Sequence, residues 1–358
     1  MLCQRKTLLS TRWIFIFIMG FIYFNYRTDM FIRTKINVLS DSQTSFGKDQ
    51  WLKNMEETFM KQRLRINEVC QKYRLFNKTA NKEWDGLKRQ QIISDQNTIV
   101  SMTSKLAYCQ TPKVGTSTWI THFRKLLPPK LQNIPMSERP RIQTYFRIPV
   151  EDVESHAVPL ESSFIRSFNT FLEKHNILSF TMVRHPFQRL VSVYKSEIER
   201  CKRPCAKVLG VLKWYDKDHT WPSFVNMVLK QYRRDKCFGL YSFPCFQVNP
   251  HWTPFNNLCL LCDVSYSMIG RMESFSEHVK YIFLKSNATI LTDDYSRVEH
   301  SSKKNQKKLQ TETEKRNEIL KYMSLLRKKQ IDELYQMYKF DFEMLNYKQD
   351  SYFRSVKP

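Results

Sequence analysis

The chain is poor in acidic residues and lacks internal repeats, long low-complexity tracts and a Walker-type nucleotide loop. Of its 358 residues, 34 are Asp or Glu and 58 are Lys or Arg, so the formal net charge is +24. This excess favours an acidic partner: nucleic acid, an anionic membrane surface, or a polyanionic glycan together with a nucleotide co-substrate.

A kinase of the P-loop class is also disfavoured. The segment from Pro112 to Thr118 shares a lysine, a glycine and hydroxyl residues with a Walker loop but lacks the Gly-Lys-Ser/Thr ending. No aspartate that could hold Mg²⁺ follows an apolar strand. The hydrophobic content of 42% is sufficient for one large folded domain.

An apolar run near the N-terminus, Trp13 to Phe24, follows the basic residues Arg5, Lys6 and Arg12. Basic residues on this side predict a cytosolic N-terminus and a lumenal remainder. The run is shorter than the about twenty residues of a comfortable span, so a signal-peptide core is the alternative. Because no small-x-small cleavage site follows, we expect an uncleaved signal anchor. The predicted order is a cytosolic tail at 1–12, an anchor at 13–26, a lumenal stem at 27–95 and the main domain at 96–358.

Cysteine usage points to the same compartment. Cys3 would face the cytosol, and eight of the nine cysteines follow the anchor: Cys70, Cys109, Cys201, Cys205, Cys237, Cys245, Cys259 and Cys262. An even number in an oxidising lumen indicates up to four disulfides. A zinc site built from Cys259-x-x-Cys262, Cys201-x-x-x-Cys205 and His251 is the alternative, which a secretory location disfavours, so no metal is expected. The sequons Asn77-Lys-Thr79 and Asn287-Ala-Thr289 also fit a lumenal domain.

From Ser101 onward, strand and helix patterns alternate. Before this point, Trp51 to Tyr73 has helical character without a deep apolar face; beyond it, a helix is predicted to end near Lys174 and another to cover Trp221 to Tyr232. Ser274-x-x-Glu277 has the form of a capping box. The alternation predicts an α/β domain with a parallel sheet flanked by helices, in which ligands bind beyond the carboxyl ends of the strands.

The first of two strand-to-helix segments, Tyr108 to Trp119, predicts an anion site. Its apolar stretch ends at Pro112, Lys113 follows, Gly115 permits a tight turn, and hydroxyl residues open a helix. The start of a helix offers free backbone N–H groups and the positive end of the dipole, so an anionic group binds there readily.

The second segment, Phe180 to Tyr194, predicts a site for another phosphate. Leu178 to Val183 has the pattern of a buried strand, Arg184 stands at its end, Pro186 suits a first helical position, and Ser192 lies two turns on. A guanidinium and a hydroxyl can together bind a phosphate. The two segments therefore predict a two-part phosphate clamp.

These segments resemble the Golgi carbohydrate sulfotransferases related to the HNK-1 and chondroitin 4-O enzymes. Pro112-Lys-Val-Gly-Thr-Ser-Thr-Trp119 is similar to the family's 5′-phosphosulfate loop, and Val183-Arg-His-Pro-Phe-Gln-Arg-Leu-Val-Ser192 to its 3′-phosphate loop. Two departures stand out: His185 where an acidic residue is common, and Ser117-Thr118 where Thr-Asn is common.

Three later regions extend the resemblance over roughly residues 100 to 350. They are His251-Trp-Thr-Pro254 followed by Leu258-Cys-Leu-Leu-Cys262, then Ile269-Gly-Arg-Met-Glu-Ser274, and finally Tyr338-Lys-Phe-Asp-Phe342 with Tyr347. The resemblance implies a sulfotransferase fold with a P-loop-like sheet. It also implies transfer of a sulfuryl group from 3′-phosphoadenosine 5′-phosphosulfate to a glycan hydroxyl and a Golgi membrane location of single-pass type II. The anchor, the cysteines and the sequons argue against a nucleic-acid partner.

The resemblance also implies roles for individual residues. Lys113 would be the cation at the bridging and leaving oxygen, and Arg184 with Ser192 would bind the 3′-phosphate. Arg189 has two open interpretations, a phosphate ligand or a partner of a structural carboxylate. The residues implied for donor binding are Pro112, Lys113, Val114, Gly115, Thr116, Ser117, Thr118, Arg184, His185, Pro186, Phe187, Gln188, Arg189, Leu190, Val191 and Ser192.

The proton acceptor and the glycan are less narrowly defined. His251 is the leading candidate for the base, because imidazole titrates near neutral pH, and a structural histidine is the alternative. His156, His185 and Glu273 are weaker candidates, and Trp252 is interpreted as a core residue rather than a sugar platform.

The basic charge favours an acidic acceptor, either a chondroitin or dermatan chain or one containing N-acetylgalactosamine. The rival functions are a lumenal glycan-binding protein without catalysis and a nucleic-acid binder.

Overall fold

The structure is a computed structural model that describes residues 48–75, 98–146, 163–234, 249–286, 288, 291 and 312–348. The chain forms two units, Met1–Thr58 and Phe59–Pro358. In the first unit the described residues, 48–58, are helical, and the helix (α1) runs through residues 48–72. The predicted cytosolic tail, the anchor, His156, Cys237, Cys245 and both sequon asparagines lie outside the described residues. Over the ranges given above, no helix has the length and apolar character needed to cross a membrane.

A four-stranded mixed sheet organises the second unit. Its strands are β1 (Thr98–Ser101), β2 (Leu106–Cys109), β3 (Leu178–Val183) and β4 (Met268–Arg271), in that spatial order. The pairs β2–β3 and β3–β4 are parallel, whereas β1 pairs with β2 antiparallel. The α/β class is confirmed, but the expectation of an entirely parallel sheet is wrong at this edge. The loop between β1 and β2 is far too short for the crossover that parallel strands require.

Helices surround the sheet. Their bounds in the described residues are α2 Thr116–Lys125, α3 Arg139–Thr144, α4 Ser163–Lys174, α5 Pro186–Val193, α6 Arg203–Val208, α7 Leu212–Tyr215, α8 Trp221–Arg234, α9 Phe255–Cys259, α10 Phe275–Lys285, α11 Glu312–Met323 and α12 Lys328–Met344. A π-helical stretch, Tyr194–Arg200, continues α5 directly. Ser274 is the N-cap of α10 as the sequence predicts, but its side chain makes no capping hydrogen bond.

An aromatic cluster joins α2 to the central strands. The Tyr108 ring stacks on Phe180 with ring centres 4.8 Å apart, and Trp119 lies 4.5 Å from Phe180. Trp119 and Phe123 are one helical turn apart on α2, so both reach the sheet, and all four side chains are buried. This packing fixes the start of α2 at the carboxyl end of β2.

The part of α1 within the second unit packs against the rest of that unit. Phe59, Ile66, Val69 and Cys70 are buried, so the expectation of a helix without a deep apolar face is wrong. The Phe59 ring contacts Tyr281 of α10 with ring centres 5.0 Å apart. Residues 59–75 of the segment interpreted as a stem therefore belong to the same compact unit as the sheet.

Three disulfides join described cysteines: Cys70–Cys262, Cys109–Cys259 and Cys201–Cys205. Their sequence separations are 192, 150 and 4 residues. The first attaches α1 to the segment after α9, and the second attaches the end of β2 to α9. These pairings support the prediction of an oxidising compartment. They also leave the proposed zinc site without its thiolates.

The Cys70–Cys262 bridge should contribute about twice as much stability as the Cys201–Cys205 bridge. Loop-closure entropy grows with the length of the closed loop. Because Cys109–Cys259 already joins most of the span between Cys70 and Cys262, the loop that Cys70–Cys262 closes is shorter than its sequence separation, but it is still much longer than the loop between Cys201 and Cys205. We expect replacement of Cys70 and Cys262 by serine to lower the free energy of unfolding by about 4 kcal/mol. The same change at Cys201 and Cys205 should cost about half as much. Denaturant unfolding of the two double variants measures the difference, and equal losses would contradict it.

Candidate active site

A cleft of about 490 Å³ opens beyond the carboxyl end of β2. It is lined by Gln110, Thr111, Pro112, Lys113, Gly115, Thr116, Ser117, Gln143, Glu197, Pro250 and His251. Five predicted donor-site residues of the first segment and the predicted base thus share one cavity. Val114 is buried instead, and Thr118 is exposed outside the lining.

The loop that carries Lys113 has an unusual backbone. Lys113 and Gly115 both have left-handed conformations, with φ of 68° and 79°. A side chain on Gly115 would meet the Phe275 ring 3.1 Å from its Cβ, so only glycine fits this turn. At Lys113 the same conformation is strained, which is typical of functional sites. The strain is held in place by Thr111, whose hydroxyl donates to the Met182 carbonyl at 3.0 Å.

The start of α2 faces this cleft. Gly115 is its N-cap and has no side chain to accept a backbone hydrogen bond. Since Gly115, Thr116 and Ser117 line the cavity, the start of the helix, where backbone N–H groups lack intrahelical partners, borders the cleft and can bind an anion. The Thr116 hydroxyl is engaged locally, because it donates to the Thr111 carbonyl.

The second segment follows β3 as predicted, yet Arg184 and Ser192 lie outside the lining of the cleft. α5 begins at Pro186, and its N-cap is His185, whose Nδ1 accepts the Phe187 N–H at 3.3 Å. Burial lowers the pKa of His185 to about 4, which keeps this acceptor nitrogen unprotonated. His185 therefore caps a helix. Phe187, Leu190 and Val191 form part of the core.

Arg189 is buried and connects two loops of the cleft. Its guanidinium donates to the carbonyls of Pro112 at 3.1 Å, of Pro250 at 2.6 Å and of Thr253 at 2.6 Å. It also lies 4.6 Å from the centre of the Phe255 ring. Of the two interpretations of Arg189, the described contacts match neither a phosphate ligand nor a direct carboxylate pair. The side chain is a bridge between backbone carbonyls.

Two residues of α12 hold the loop after His251. The Asp341 carboxylate accepts the N–H groups of Phe255 at 2.9 Å and Asn256 at 3.3 Å. Burial raises the pKa of Asp341 to about 6, against the opposing effects of these amides and of Arg189. The Tyr338 hydroxyl donates to the Trp252 carbonyl at 2.7 Å. Trp252 itself is buried, in agreement with its interpretation as a core residue.

Asn249 fixes the tautomer of His251. The Asn249 amide nitrogen donates to the Leu209 carbonyl at 3.1 Å, and its Oδ1 accepts the His251 backbone N–H at 3.0 Å, so the orientation of the amide is defined. Because Oδ1 can only accept, the His251 Nδ1 that lies 2.9 Å away must donate. The neutral ring then carries its lone pair on Nε2. This is the form that a general base requires.

Sequence reasoning missed Asn249, Ser196 and Glu197. Lys113 Nζ donates to the Ser196 hydroxyl at 2.5 Å and forms an ion pair with the Glu197 carboxylate. Both partners lie in the π-helical stretch, one turn beyond Ser192, where the Cys201 N–H bonds to the Ser196 carbonyl. Local periodicity gives no signal for such a widened turn, although π-helical turns are frequent at functional sites.

Among the described residues, no group of three or more His, Cys, Asp or Glu side chains is placed to hold a metal. The cysteines of the alternative zinc site are paired in disulfides.

Comparison with known proteins identifies the family. The profile of the sulfotransferase family matches residues 96–348. The chain belongs to the sulfotransferase family. Carbohydrate sulfotransferase 10 of Xenopus laevis is 25% identical over 273 residues, which is 71% of this chain and 68% of that protein. Human carbohydrate sulfotransferase 9 is 23% identical over 308 residues, 85% of this chain and 63% of the relative.

A third sulfotransferase relative, carbohydrate sulfotransferase 11 of Danio rerio, is 25% identical over 266 residues, 72% of this chain and 68% of its own length. The resemblance to carbohydrate sulfotransferases is thereby confirmed. The chain spans about two thirds of the length of these relatives, from 63% to 68%. No solved structure matches it.

In this sulfotransferase, Arg189→Lys should lower both stability and activity. An ammonium cannot reach the three carbonyls that the planar guanidinium bridges, so buried acceptors lose their donors. We expect a loss of about 3 kcal/mol in the free energy of unfolding. Thermal and denaturant unfolding measure it.

Arg233→Lys is the matched control. Arg233 is exposed and pairs with Glu333 at 3.2 Å, and surface pairs of this kind contribute little. If Arg189→Lys unfolded at the same denaturant concentration as Arg233→Lys, the bridging role of Arg189 would be refuted.

Proposed function

We propose that the protein transfers a sulfuryl group from 3′-phosphoadenosine 5′-phosphosulfate to a hydroxyl of a glycan. The observation that carries the proposal is the placement of Lys113, the start of α2 and His251 around one cleft. The family match and the carbohydrate sulfotransferase relatives support it.

The chemistry assigned to each group follows from its position. In the reaction, the bond between sulfur and the phosphate oxygen of the donor breaks, and a bond forms between sulfur and the sugar oxygen. Lys113 stabilises the negative charge that develops on the leaving oxygen, and the N–H groups at the start of α2 hold the phosphosulfate. His251 Nε2 accepts the proton of the sugar hydroxyl. Positioning and cationic donors supply most of the acceleration, as in phosphoryl transfer.

The 3′-phosphate is assigned to Arg184 and Ser192. Arg184 directly follows β3 and so stands at the carboxyl end of that strand, and Ser192 lies on α5 two turns later. The assignment rests on the resemblance of this segment to the 3′-phosphate loop, since neither residue lines the cleft that contains Lys113.

The acceptor class and the location follow from charge and covalent structure. The net charge of +24 favours an acidic acceptor, which we propose to be a chondroitin or dermatan chain or another chain containing N-acetylgalactosamine. The disulfides support a lumenal catalytic domain, and the basic residues before the apolar run at 13–24 support a type II Golgi membrane protein.

A glycan-binding protein without catalysis is the second candidate. The observation in its favour is the ion pair of Lys113 with Glu197, which occupies the proposed catalytic cation. The following measurement separates the two functions.

The full-length chain should transfer radiolabelled sulfate from the nucleotide donor to at least one member of a panel of desulfated chondroitin, dermatan and N-acetylgalactosamine-terminated glycans. Lys113→Ala should lower the rate about 100-fold or more, because it removes the cation at the leaving oxygen. Lys328→Ala, at an exposed lysine at the start of α12, is the control and should retain the wild-type rate. Equal rates for Lys113→Ala and the control would refute the role of Lys113. Absence of transfer to every glycan, despite binding of 3′-phosphoadenosine 5′-phosphate, would favour the binding protein.

His251→Ala should lower turnover about 100-fold while the affinity for 3′-phosphoadenosine 5′-phosphate changes little, because the base acts on the acceptor proton. His219→Ala removes an exposed histidine and is the control. Rates of transfer together with calorimetric titration of the nucleotide separate chemistry from binding. Near-normal turnover of His251→Ala would exclude His251 as the base.

A further inference from the structure

The cation assigned to the donor is already paired in the free protein. Lys113 Nζ contacts the Glu197 carboxylate and the Ser196 hydroxyl, and the side chains of Lys113 and Glu197 are each 19% exposed. Glu197 and Lys113 both line the cleft. The ion pair therefore lies inside the cavity that the donor would enter.

The carboxylate is held in place by its neighbours. Ser196 Oγ donates to Glu197 Oε1 at 2.8 Å and lies 2.9 Å from the Ser192 carbonyl. Burial disfavours the charged form of Glu197, but hydrogen bonds from Lys113 and Ser196 outweigh it and hold the pKa below its ordinary value. At neutral pH, Glu197 is thus a fixed negative charge next to Lys113.

A fixed carboxylate and an anionic ligand compete for one ammonium group. Two like charges about 4 Å apart repel each other substantially at the dielectric constant of a protein surface. An anion that contacts only Lys113 and the start of α2 must displace Glu197 from the lysine. Only the binding free energy of those few contacts is available to offset this displacement. A nucleotide gains further contacts from its base, ribose and second phosphate, so it can offset the displacement.

We propose that Glu197 masks Lys113 in the free protein and thereby weakens the binding of simple inorganic anions at the donor site. The inference rests on the proposed function, because it assigns Lys113 to the donor. Glu197 acts through Lys113 and is a positioning residue. The exchange of Lys113 from Glu197 to the ligand is a step of donor binding.

The test is calorimetric titration of the full-length chain with sodium sulfate and with 3′-phosphoadenosine 5′-phosphate. Glu197→Gln should bind both about tenfold more tightly than the wild type, with the sulfate affinity rising at least as much as the nucleotide affinity. Glu197→Asp, whose shorter side chain keeps the charge but withdraws it from Lys113, should show a smaller gain. It is the second variant if Glu197→Gln folds poorly.

Glu199→Gln is the matched control. It removes the same charge two residues along the π-helical stretch, where the carboxylate accepts from the Tyr322 hydroxyl at 2.8 Å rather than from Lys113. Its anion affinities should equal those of the wild type. In a Lys113→Ala background, Glu197→Gln should give a smaller gain, because the part of the effect that is exerted through the lysine is lost.

The outcomes separate this inference from the proposed function. If the wild type binds the nucleotide and Glu197→Gln binds sulfate and nucleotide no better, the inference is overturned while the donor site stands. If no variant binds the nucleotide but Glu197→Gln gains affinity for sulfate, the masking of Lys113 is supported and the donor assignment fails. A gain of the same size in Glu199→Gln would reduce the effect to net charge and would also overturn the inference.

Discussion

The geometry of the cleft depends on one buried guanidinium. Arg189 donates to the Pro112 carbonyl on the Lys113 loop and to the Pro250 and Thr253 carbonyls on the His251 loop. Lys113 follows Pro112 directly, and His251 follows Pro250, so a single side chain sets the spacing of the proposed cation and base. Burying this charge is costly. Three carbonyl acceptors, the face of Phe255 and the nearby charge of Asp341 offset the cost.

The helix α12 supports the site, although its residues do not line the cleft. Asp341 of α12 accepts the first N–H groups of α9, and Tyr338 donates to the Trp252 carbonyl. Both residues contact the segment that follows His251, and Asp341 also places negative charge near Arg189. The C-terminal resemblance noted in the sequence therefore has a structural meaning. Residues far along the chain support the loop that carries His251, and rigid support is what accurate positioning of a base requires.

Local pattern predicted the features that depend on short stretches of sequence. The bounds of β3, the start of α5 at Pro186 and the strand-to-helix form of the Lys113 segment follow from hydrophobic runs, proline and glycine. Features that depend on residues distant in the sequence could not be predicted from local pattern. The buried face of α1 is narrow, and its Cys70 pairs with a cysteine 192 residues away. The antiparallel direction of β1 depends on the length of the loop to β2, which the alternation of strand and helix patterns does not reveal. Glu197 and Asn249 acquire their roles only because separate loops meet, and the widening of a helix at Tyr194 leaves no periodic trace.

The same constraints define how the site can move. The Lys113 backbone is left-handed, and the loop is fixed by Arg189 at the Pro112 carbonyl and by Thr111 at β3. A strained conformation persists only where the surroundings determine it on several sides, and here they do. The backbone of Lys113 therefore cannot follow a ligand. Any exchange of its ammonium between Glu197 and an incoming anion must occur by rotation of the flexible four-carbon side chain. Because Arg189 bridges the two loops, we expect the spacing between Lys113 and His251 to be the same before and after the lysine changes partner.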